Sequence, residues 1–318
     1  MATSVIPTPP THWHGIRLVT LGVILFSLQD LVIKQVSGGY PVHQIVFIRS
    51  GVALLLLLLL AWLRGEWRLL HTRRLGYHMA RGFVMLISYT TYYLAIAALP
   101  LAETVAIYFV SPLLVTLLSV LWLKERISWA HWLTLGVGFL GTLVMLRPGL
   151  GVFELAALLP IVAAAAYAVS VILARQMADT ETGMGLAVYA TAVYFLASGL
   201  IGIIISNTHF ASSNHPSLQF LTRPWLIPNA FDMLMMSTTG LIAAIGFYGL
   251  SEAYRVAPAT IVAPFEYIML PLSVLWGFLF WHELPDWLTL VGAVLVIGSG
   301  LKLLPRRPQR RRWLLRRM

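Results

Sequence analysis

The chain contains ten apolar segments, and each is long enough to cross a lipid bilayer as an α-helix. A transmembrane helix needs about 20 mostly apolar residues, because its backbone polar groups must be satisfied within the segment. Of the 318 residues, 59% are hydrophobic and 11% are charged, which is too apolar for a soluble domain. The sequence therefore predicts an all-α polytopic membrane protein. The predicted spans are about 16–36, 43–63, 78–98, 101–122, 129–147, 152–174, 184–206, 230–254, 258–281 and 286–304.

Lysine and arginine are concentrated on one side of these spans, as they are in cytoplasmic loops. With the N-terminus inside, the outer side holds only Lys34, Arg49, Arg147 and Arg223. The inner side holds Arg17, Arg64, Arg68, Arg73, Arg74, Arg81, Lys124, Arg126, Arg175, Arg255 and a basic tail. We therefore expect both termini in the cytoplasm and the protein in a bacterial inner membrane.

The basic tail, residues 305–318, carries much of the net charge of +10. We expect it to contact anionic lipid headgroups. Nucleic acid is not an expected partner, since the sequence contains no nucleic-acid-binding module.

Two parts of the chain repeat the same motifs in the same order. Trp122-Leu-Lys-Glu-Arg and Trp132-Leu-Thr-Leu recur as Phe280-Trp-His-Glu-Leu and Trp287-Leu-Thr-Leu. Five spans in each copy would place the copies in opposite orientations, and inverted repeats typically hold a substrate site at their interface. The predicted division is a cytoplasmic segment 1–15, a first repeat 16–147, a second repeat 148–304 and the tail 305–318.

These motifs resemble those of the drug/metabolite transporter superfamily, in its ten-span group built from two EamA domains. Phe26-Ser-Leu-Gln-Asp-Leu-Val-Ile-Lys34 and Gln44-Ile-Val-Phe-Ile-Arg-Ser50 are similar to the branch with S-adenosylmethionine and riboflavin uptake transporters. The resemblance implies a basket of helices around a central cavity, lined mainly by helices three, four, eight and nine, and working by alternating access. It also implies homodimer contacts through helices five and ten. The Trp-Gly-Ser/Ala motif common in helix one of many members is absent.

Glu266 is the carboxylate predicted to lie deepest in the cavity wall. It lies between Pro264 and Pro271, in an apolar segment where proline leaves backbone carbonyls without helical partners. A carboxylate within a membrane span usually marks a site or pathway, and it could hold a cationic substrate or carry a proton. The alternative is a kinked core helix in which Glu266 belongs to a structural pair.

Polar aromatic residues supply the rest of the predicted cavity wall. Tyr89 and Tyr93 are four residues apart on helix three and share a face, while Tyr92 is as easily an interhelical contact. On helix four, Pro112 leaves the carbonyl of Tyr108 without its helical partner. The predicted substrate contacts are Tyr89, Tyr93, Tyr108, Ser111, Tyr248, Glu266 and Tyr267.

Two sets of charged residues are candidates for gating or for structural ion pairs. Asp30 and Lys34 share a face of helix one, and Arg49 lies at the same predicted depth on helix two. We expect Asp30 to be neutralised by Arg49, Lys34 or both, as a clamp between two helices or as part of a gate. Arg81 and Glu252 lie near the inner end, where they form a gate or an interfacial ion pair.

These features favour a secondary transporter of a small polar or aromatic metabolite, similar to S-adenosylmethionine, a flavin or an amino acid, with protons as a candidate coupling ion. A non-transporting scaffold or sensor is the alternative, and a membrane-embedded transferase is a weaker one. No catalytic constellation, metal-ligand spacing or cofactor motif is present, so we expect no enzyme activity, metal or cofactor. Glu125 and Glu283, after the repeated turns, are interpreted as helix-turn features.

Overall fold

The computed structural model describes residues 12–65, 71–124, 128–146, 155–177, 180–207, 215–256 and 263–303. The regular elements within these ranges are helical, and no strand occurs in them. Their α-helices are α1 (His12–Ser37), α2 (Val42–Leu63), α3 (Leu75–Ala98), α4 (Leu101–Tyr108), α5 (Ser111–Leu123), α6 (Trp129–Leu146), α7 (Leu158–Met177), α8 (Gly183–Ser206), α9 (Pro216–Thr222), α10 (Ala230–Val256), α11 (Met269–Trp281) and α12 (Trp287–Leu303). Short 3-10 helices, Leu155–Ala157 and Ala263–Ile268, precede α7 and α11.

Some predicted features lie outside this description. The tail 305–318 and the start of the N-terminal segment, 1–11, are outside the described residues, as is Glu125. Tyr248 and Glu252 belong to α10, but their side chains are outside the described part of the chain.

The described helices form a multi-pass membrane protein. Among them, seven segments are long and apolar enough to cross a bilayer: Trp13–Ser37, Val42–Leu63, Leu101–Leu123, Trp129–Leu146, Leu155–Met177, Gly183–Ser206 and Ala230–Phe247. Two shorter apolar helices, Phe265–Trp281 and Trp287–Ser299, accompany them. Together with α3, these segments overlap the ten predicted spans. The ten-span topology stays a prediction.

The helices pack so that polar side chains of α1, α2 and α3 face the interior. α1 packs against α10, α2 against α8, and α3 against both α7 and α8. A buried cluster between these helices includes Ile33, Ile45, Tyr93 and Tyr194. Apolar side chains such as Leu55 and Leu200 are instead exposed on the outer surface, as expected for helices that face lipid.

α6 and α12 approach each other through glycines. A Cβ atom added at Gly292 would lie 2.6 Å from the carbonyl oxygen of Gly141 and 2.4 Å from Cγ of Met145. The space at Gly292 would therefore not accept a methyl group unless the backbone of one helix shifted. Small residues of this kind allow close packing of helices in a membrane, where the hydrophobic effect does not drive helix association.

Two described helical segments are interrupted at related places. α4 ends at Tyr108 and α5 begins at Ser111, because Pro112 has no N–H to donate to the Tyr108 carbonyl. The predicted interruption at this proline is therefore confirmed. In the second half, the 3-10 helix Ala263–Ile268 leads directly into α11.

The helices after these interruptions match closely in length and in how they end. α5 and α11 each contain 13 residues. α5 is followed by Lys124 at φ 56° and ψ 31°, and α11 by His282 at φ 56° and ψ 28°. This left-handed conformation, uncommon for residues other than glycine, commonly terminates helices. The following helices begin at Trp129 and Trp287, and the repeated Trp-Leu-Thr-Leu motif starts three residues later in the first, at Trp132, and at the first residue of the second.

The connection between α8 and α10 contains the short helix α9. It does not lie only on the surface. Phe220 is 1% exposed, and the Ser217 hydroxyl donates to the carbonyl of Leu94 at 2.8 Å. The side chain of Gln44 on α2 bonds both the N–H and the carbonyl of Leu226. The connection is therefore anchored to α2 and α3.

Candidate functional site

A network of buried polar side chains joins α1, α2 and α3. Arg49 on α2 and Asp30 on α1 are 2% and 3% exposed. Nε of Arg49 donates to Oε1 of Gln29 at 3.2 Å, and Nε2 of Gln29 donates to the hydroxyl of Tyr93 at 3.2 Å. The Tyr92 hydroxyl donates to Oδ2 of Asp30 at 2.8 Å. Buried polar groups of this kind are costly unless they are bonded, so the network fixes the positions of the three helices.

The expected neutralisation of Asp30 by Lys34 is not observed, because Lys34 pairs with Glu283, whereas the charge of Arg49 acts on Asp30 from beyond ion-pair distance. Among the described residues, neither Arg49 nor Lys34 makes an ion pair with it. Tyr92 supplies the hydrogen bond instead, because α3 packs against α1 at this depth. The interhelical role considered for Tyr92 is therefore the one observed.

Tyrosine rings extend from this network toward the interrupted helix. The guanidinium of Arg49 lies 4.8 Å from the ring centre of Tyr89. Tyr89 and Tyr93, predicted to share a face of α3, have ring centres 5.9 Å apart. The ring of Tyr92 is 4.9 Å from that of Tyr108 at the end of α4. Three of the predicted site tyrosines thus belong to one aromatic array.

Two further tyrosines of the array were not predicted. Tyr194 on α8 lies 5.7 Å from Tyr89, and Tyr167 on α7 lies 6.1 Å from Tyr108, measured between ring centres. They come from helices six and seven of the predicted topology, whereas the resemblance implied a wall from helices three, four, eight and nine. Each lies in an apolar helix, and its depth in the span is the sequence signal that could have indicated it.

The remaining predicted site residues lie at the helix interruptions. Ser111, the first residue of α5, is 4% exposed. Glu266 and Tyr267 belong to the 3-10 helix before α11, and both are half-buried. The rings of Tyr267 and Phe109 lie 5.1 Å apart, so the two interruptions touch. The structure thus brings most of the predicted contacts to one region between the helices.

Arg81 lies two turns before Tyr89 on α3, near the end where that helix begins. Its Nη1 donates to the carbonyl of Leu186 on α8 at 3.0 Å. The pairing of Arg81 with Glu252 stays a prediction, since the side chain of Glu252 is outside the described part.

An ion pair closes the end of the bundle where α1 finishes. Nζ of Lys34 lies 2.7 Å from both carboxylate oxygens of Glu283, in the turn between α11 and α12. Lys34 also donates to the carbonyl of Leu99 at 3.0 Å, and Glu283 accepts from the N–H of Leu101 at 3.2 Å. The interpretation of Glu283 as only a helix-turn feature is therefore wrong. This ion pair, the Lys34–Glu283 latch, ties the last turn of α1 and the α3–α4 joint to the second half of the chain.

A second pair lies at the opposite end of α3. Glu181, in the connection between α7 and α8, accepts from Nε2 of His78 at 3.0 Å and from the Thr72 hydroxyl at 2.8 Å. Burial raises the pKa of Glu181, but the hydrogen bonds from His78 and Thr72 and the charges of His78 and Arg74 outweigh it. The pKa of Glu181 is therefore lowered from its ordinary value, which stabilises the ionised carboxylate.

The sequence of this protein was compared with those of known protein families and proteins. Residues 13–147 match the EamA-like transporter family. Over 295 residues the chain is 31% identical to the pseudopaline exporter of Pseudomonas aeruginosa, covering 91% of this chain and 95% of that protein. The chain belongs to the EamA-like transporter family. The predicted resemblance to the drug/metabolite transporter superfamily is confirmed.

Other relatives of this EamA-family protein are also named transporters. It is 27% identical over 286 residues to the riboflavin transporter of Vibrio cholerae, covering 89% of each chain. It is 25% identical over 291 residues to the S-adenosylmethionine uptake transporter of Rickettsia prowazekii, covering 92% of each. A crystal structure at 18% identity superposes with a TM-score of 0.61 over 90% of this chain and 94% of the other, so the two share a fold. Family and relatives point to transport across a membrane, not to an enzyme.

Proposed function

We propose that this EamA-family protein is a secondary transporter that moves a small polar or aromatic metabolite by alternating access. The observation that carries the proposal is the buried array of tyrosines around Arg49 and Asp30, which continues to the two touching helix interruptions. Buried ionisable side chains in a membrane protein are costly and usually serve transport. The named relatives favour a substrate similar to S-adenosylmethionine, a flavin or an amino acid.

The substrate lies, in this proposal, against the faces of the tyrosines and beside the interruptions. Tyrosine offers an aromatic face and a hydroxyl, and its face attracts cations. Glu266 either holds a cationic group of the substrate or carries the proton that drives transport. The proposed contacts are Tyr89, Tyr93, Tyr108, Ser111, Tyr248, Glu266 and Tyr267.

The proposed architecture is a ten-span fold of two inverted repeats, 16–147 and 148–304. Its support is the equal length of α5 and α11 and the shared left-handed conformation of Lys124 and His282. Alternating access in such folds is a rocking of one repeat against the other. The proposed setting is a bacterial inner membrane, with the segment 1–15 and the tail 305–318 in the cytoplasm and the tail on anionic lipids.

The proposed homodimer uses the outward faces of α6 and α12, the fifth and tenth helices of the topology. These helices pack against each other within one chain, and they leave large apolar side chains exposed. The exposed side chains include Leu133, Leu140, Leu290 and Val294.

Thermal stabilisation of the purified protein tests the substrate class. The panel contains S-adenosylmethionine, riboflavin, aromatic and aliphatic amino acids, nucleosides and polyamines, because a compound that binds the folded state raises its melting temperature with concentration. Each hit is then tested for uptake into proteoliposomes with the wild type, Glu266→Gln and the control Asp232→Asn. Asp232 is a carboxylate in the first turn of α10, bonded to Tyr40 and Asn229.

We expect Glu266→Gln to abolish uptake of the hit while the protein stays folded, and Asp232→Asn to transport normally. A cationic compound whose binding is lost in Glu266→Gln makes Glu266 its counter-ion. A neutral compound that still binds but is no longer driven by a proton gradient makes Glu266 the proton site. Uptake by Glu266→Gln at the wild-type rate contradicts the assignment of Glu266, and the absence of uptake of every hit contradicts the transport function.

A further inference from the structure

Arg49 has a hydrogen-bond donor that the described part of the protein leaves without a partner. The residue is 2% exposed, and its Nε is bonded to Gln29. Its Nη2 is buried and has no hydrogen-bond partner among the described residues. The Tyr89 ring lies 4.8 Å from the guanidinium carbon. A guanidinium carries five N–H donors in a plane, so the N–H groups that the protein does not bond can bind a ligand.

A small cavity adjoins this arginine between α2, α8 and α10. The residues around it are Arg49, Ser50, Ala53, Leu57, Thr191, Tyr194, Ala243, Ala244 and Phe247. The hydroxyls of Ser50 and Thr191 donate to carbonyls of their own helices, those of Val46 and Ala187. Those two hydroxyls therefore have no proton left for a ligand, whereas Nη2 of Arg49 has no partner among the described residues.

The charges around the cavity are not balanced by direct contact. Among the described residues, no carboxylate makes an ion pair with Arg49. The charge of Asp30 acts on Arg49 only from beyond ion-pair distance, and Oδ2 of Asp30 accepts its hydrogen bond from Tyr92. A buried cation without a contacting counter-ion is unfavourable. A ligand that brings its own negative charge to Nη2 therefore gains an interaction that the protein does not satisfy internally.

We propose that the transported molecule carries a carboxylate and that this group binds Nη2 of Arg49 in the cavity between α2, α8 and α10. The proposal rests on the transport function proposed above and narrows its substrate class to amino-acid-like carboxylates. A carboxylate matches the fork of one guanidinium and balances its single charge. A phosphate dianion would leave excess negative charge, since Arg49 is the only cation among the residues that line the described cavity. The aromatic array beside the cavity accommodates the rest of the molecule.

The test uses pairs of compounds that differ only in the carboxylate. They are L-tyrosine with L-tyrosinamide, L-tryptophan with L-tryptophanamide, and S-adenosylmethionine with its decarboxylated form. Riboflavin is added as a carboxylate-free probe. The shift in melting temperature with concentration yields an apparent Kd for each compound on the full-length protein in detergent.

Three variants accompany the wild type. Arg49→Gln removes the charge, and Arg49→Lys keeps the charge but loses the planar fork. Arg17→Gln is the control, because Arg17 is an exposed arginine at the start of α1. Arg49→Lys also keeps the test decisive if Arg49→Gln does not fold.

We expect at least one carboxylate of the panel to bind the wild type about 10- to 100-fold more tightly than its carboxylate-free partner, as for a lost hydrogen bond to a charged group. We expect this preference to disappear in Arg49→Gln, to shrink in Arg49→Lys and to persist in Arg17→Gln. A panel in which no carboxylate is preferred, or in which Arg49→Lys or Arg49→Gln keeps the full preference, overturns the proposal. Binding and uptake of riboflavin alone would overturn it while leaving the transport function intact.

Discussion

Glu283→Gln should release the Lys34–Glu283 latch and open the end of the bundle where α1 finishes. The substitution keeps the shape of the side chain but removes the charge that faces Nζ of Lys34 at 2.7 Å. Lys34 would then keep its bond to the Leu99 carbonyl but lose its counter-ion. Under the proposed alternating-access mechanism, we expect this change to favour the conformation that is open at this end.

The size of the effect follows from the burial of the pair. Lys34 is 9% exposed and Glu283 is 27% exposed. Removing one partner of a fully buried pair costs about 3–5 kcal/mol, and an exposed pair contributes about 0–1 kcal/mol. A partly exposed pair lies between these limits, so we expect Glu283→Gln to cost about 2 kcal/mol. Since about 1.4 kcal/mol corresponds to a factor of ten, the open population should rise roughly 30-fold.

Cysteine labelling measures this population directly, because the native chain contains no cysteine. Thr104, in the first turn of α4, is 0% exposed, and its hydroxyl donates to the carbonyl of Pro100, the residue before that helix. A single Thr104→Cys should therefore react with a maleimide only when this end opens. The labelling rate is compared with and without Glu283→Gln, with Lys34→Met as the reciprocal change.

The control is Lys302→Met, which removes an exposed lysine near the end of α12. We expect Glu283→Gln and Lys34→Met to accelerate labelling, and Lys302→Met to leave it unchanged. The double variant should label more slowly than either single variant, since neither charge is then left alone. Equal labelling rates in the wild type and in both single variants would show that the latch does not hold this end closed.

Further predictions concern packing, pH and the buried network. Gly292→Ala should lower stability by about 1–3 kcal/mol through overpacking, while Gly298→Ala, whose added Cβ meets nothing within 4 Å, should not, as measured by melting temperature. Glu181 should contribute fully to the free energy of unfolding above its unfolded pKa of about 4.5, and this contribution should be lost as the pH falls through its lower folded pKa. Glu181→Gln should therefore lower the melting temperature at pH 7 and match the wild type in acid. Tyr92→Phe should lower the free energy of unfolding by about 1–3 kcal/mol, because it leaves the buried carboxylate of Asp30 without its hydrogen bond. An unchanged melting temperature in any of these variants would contradict the corresponding prediction.

Helix positions and helix breaks could be predicted because they depend on local chemistry. Pro112 interrupts its span because proline lacks an N–H, and this requires no knowledge of the neighbouring helices. Tyr89 and Tyr93 share a face because a helix repeats every 3.6 residues. The motif repeat likewise indicated helix starts near Trp132 and Trp287, and α6 and α12 begin at Trp129 and Trp287.

The partners of the buried charges could not be predicted in the same way. Charge and span length indicate how deep a residue lies, but not which helix faces it. Lys34 and Asp30 share a face of α1, yet Lys34 reaches Glu283, which is 249 residues away along the chain. Tyr194 was missed for the same reason, since contact between α3 and α8 is a property of the assembled bundle.

The Lys34–Glu283 latch also bonds the peptide groups beside a proline. Pro100 joins α3 to α4, and the carbonyl of Leu99 and the N–H of Leu101 find their partners in Lys34 and Glu283. When the pair separates, each charge loses its counter-ion beside these backbone groups, and hydrocarbon cannot replace it. Opening at this end must therefore draw in water. Solutes too large to enter the opening would oppose it osmotically, so transport should slow as water activity falls, even with substrate and driving gradient held constant.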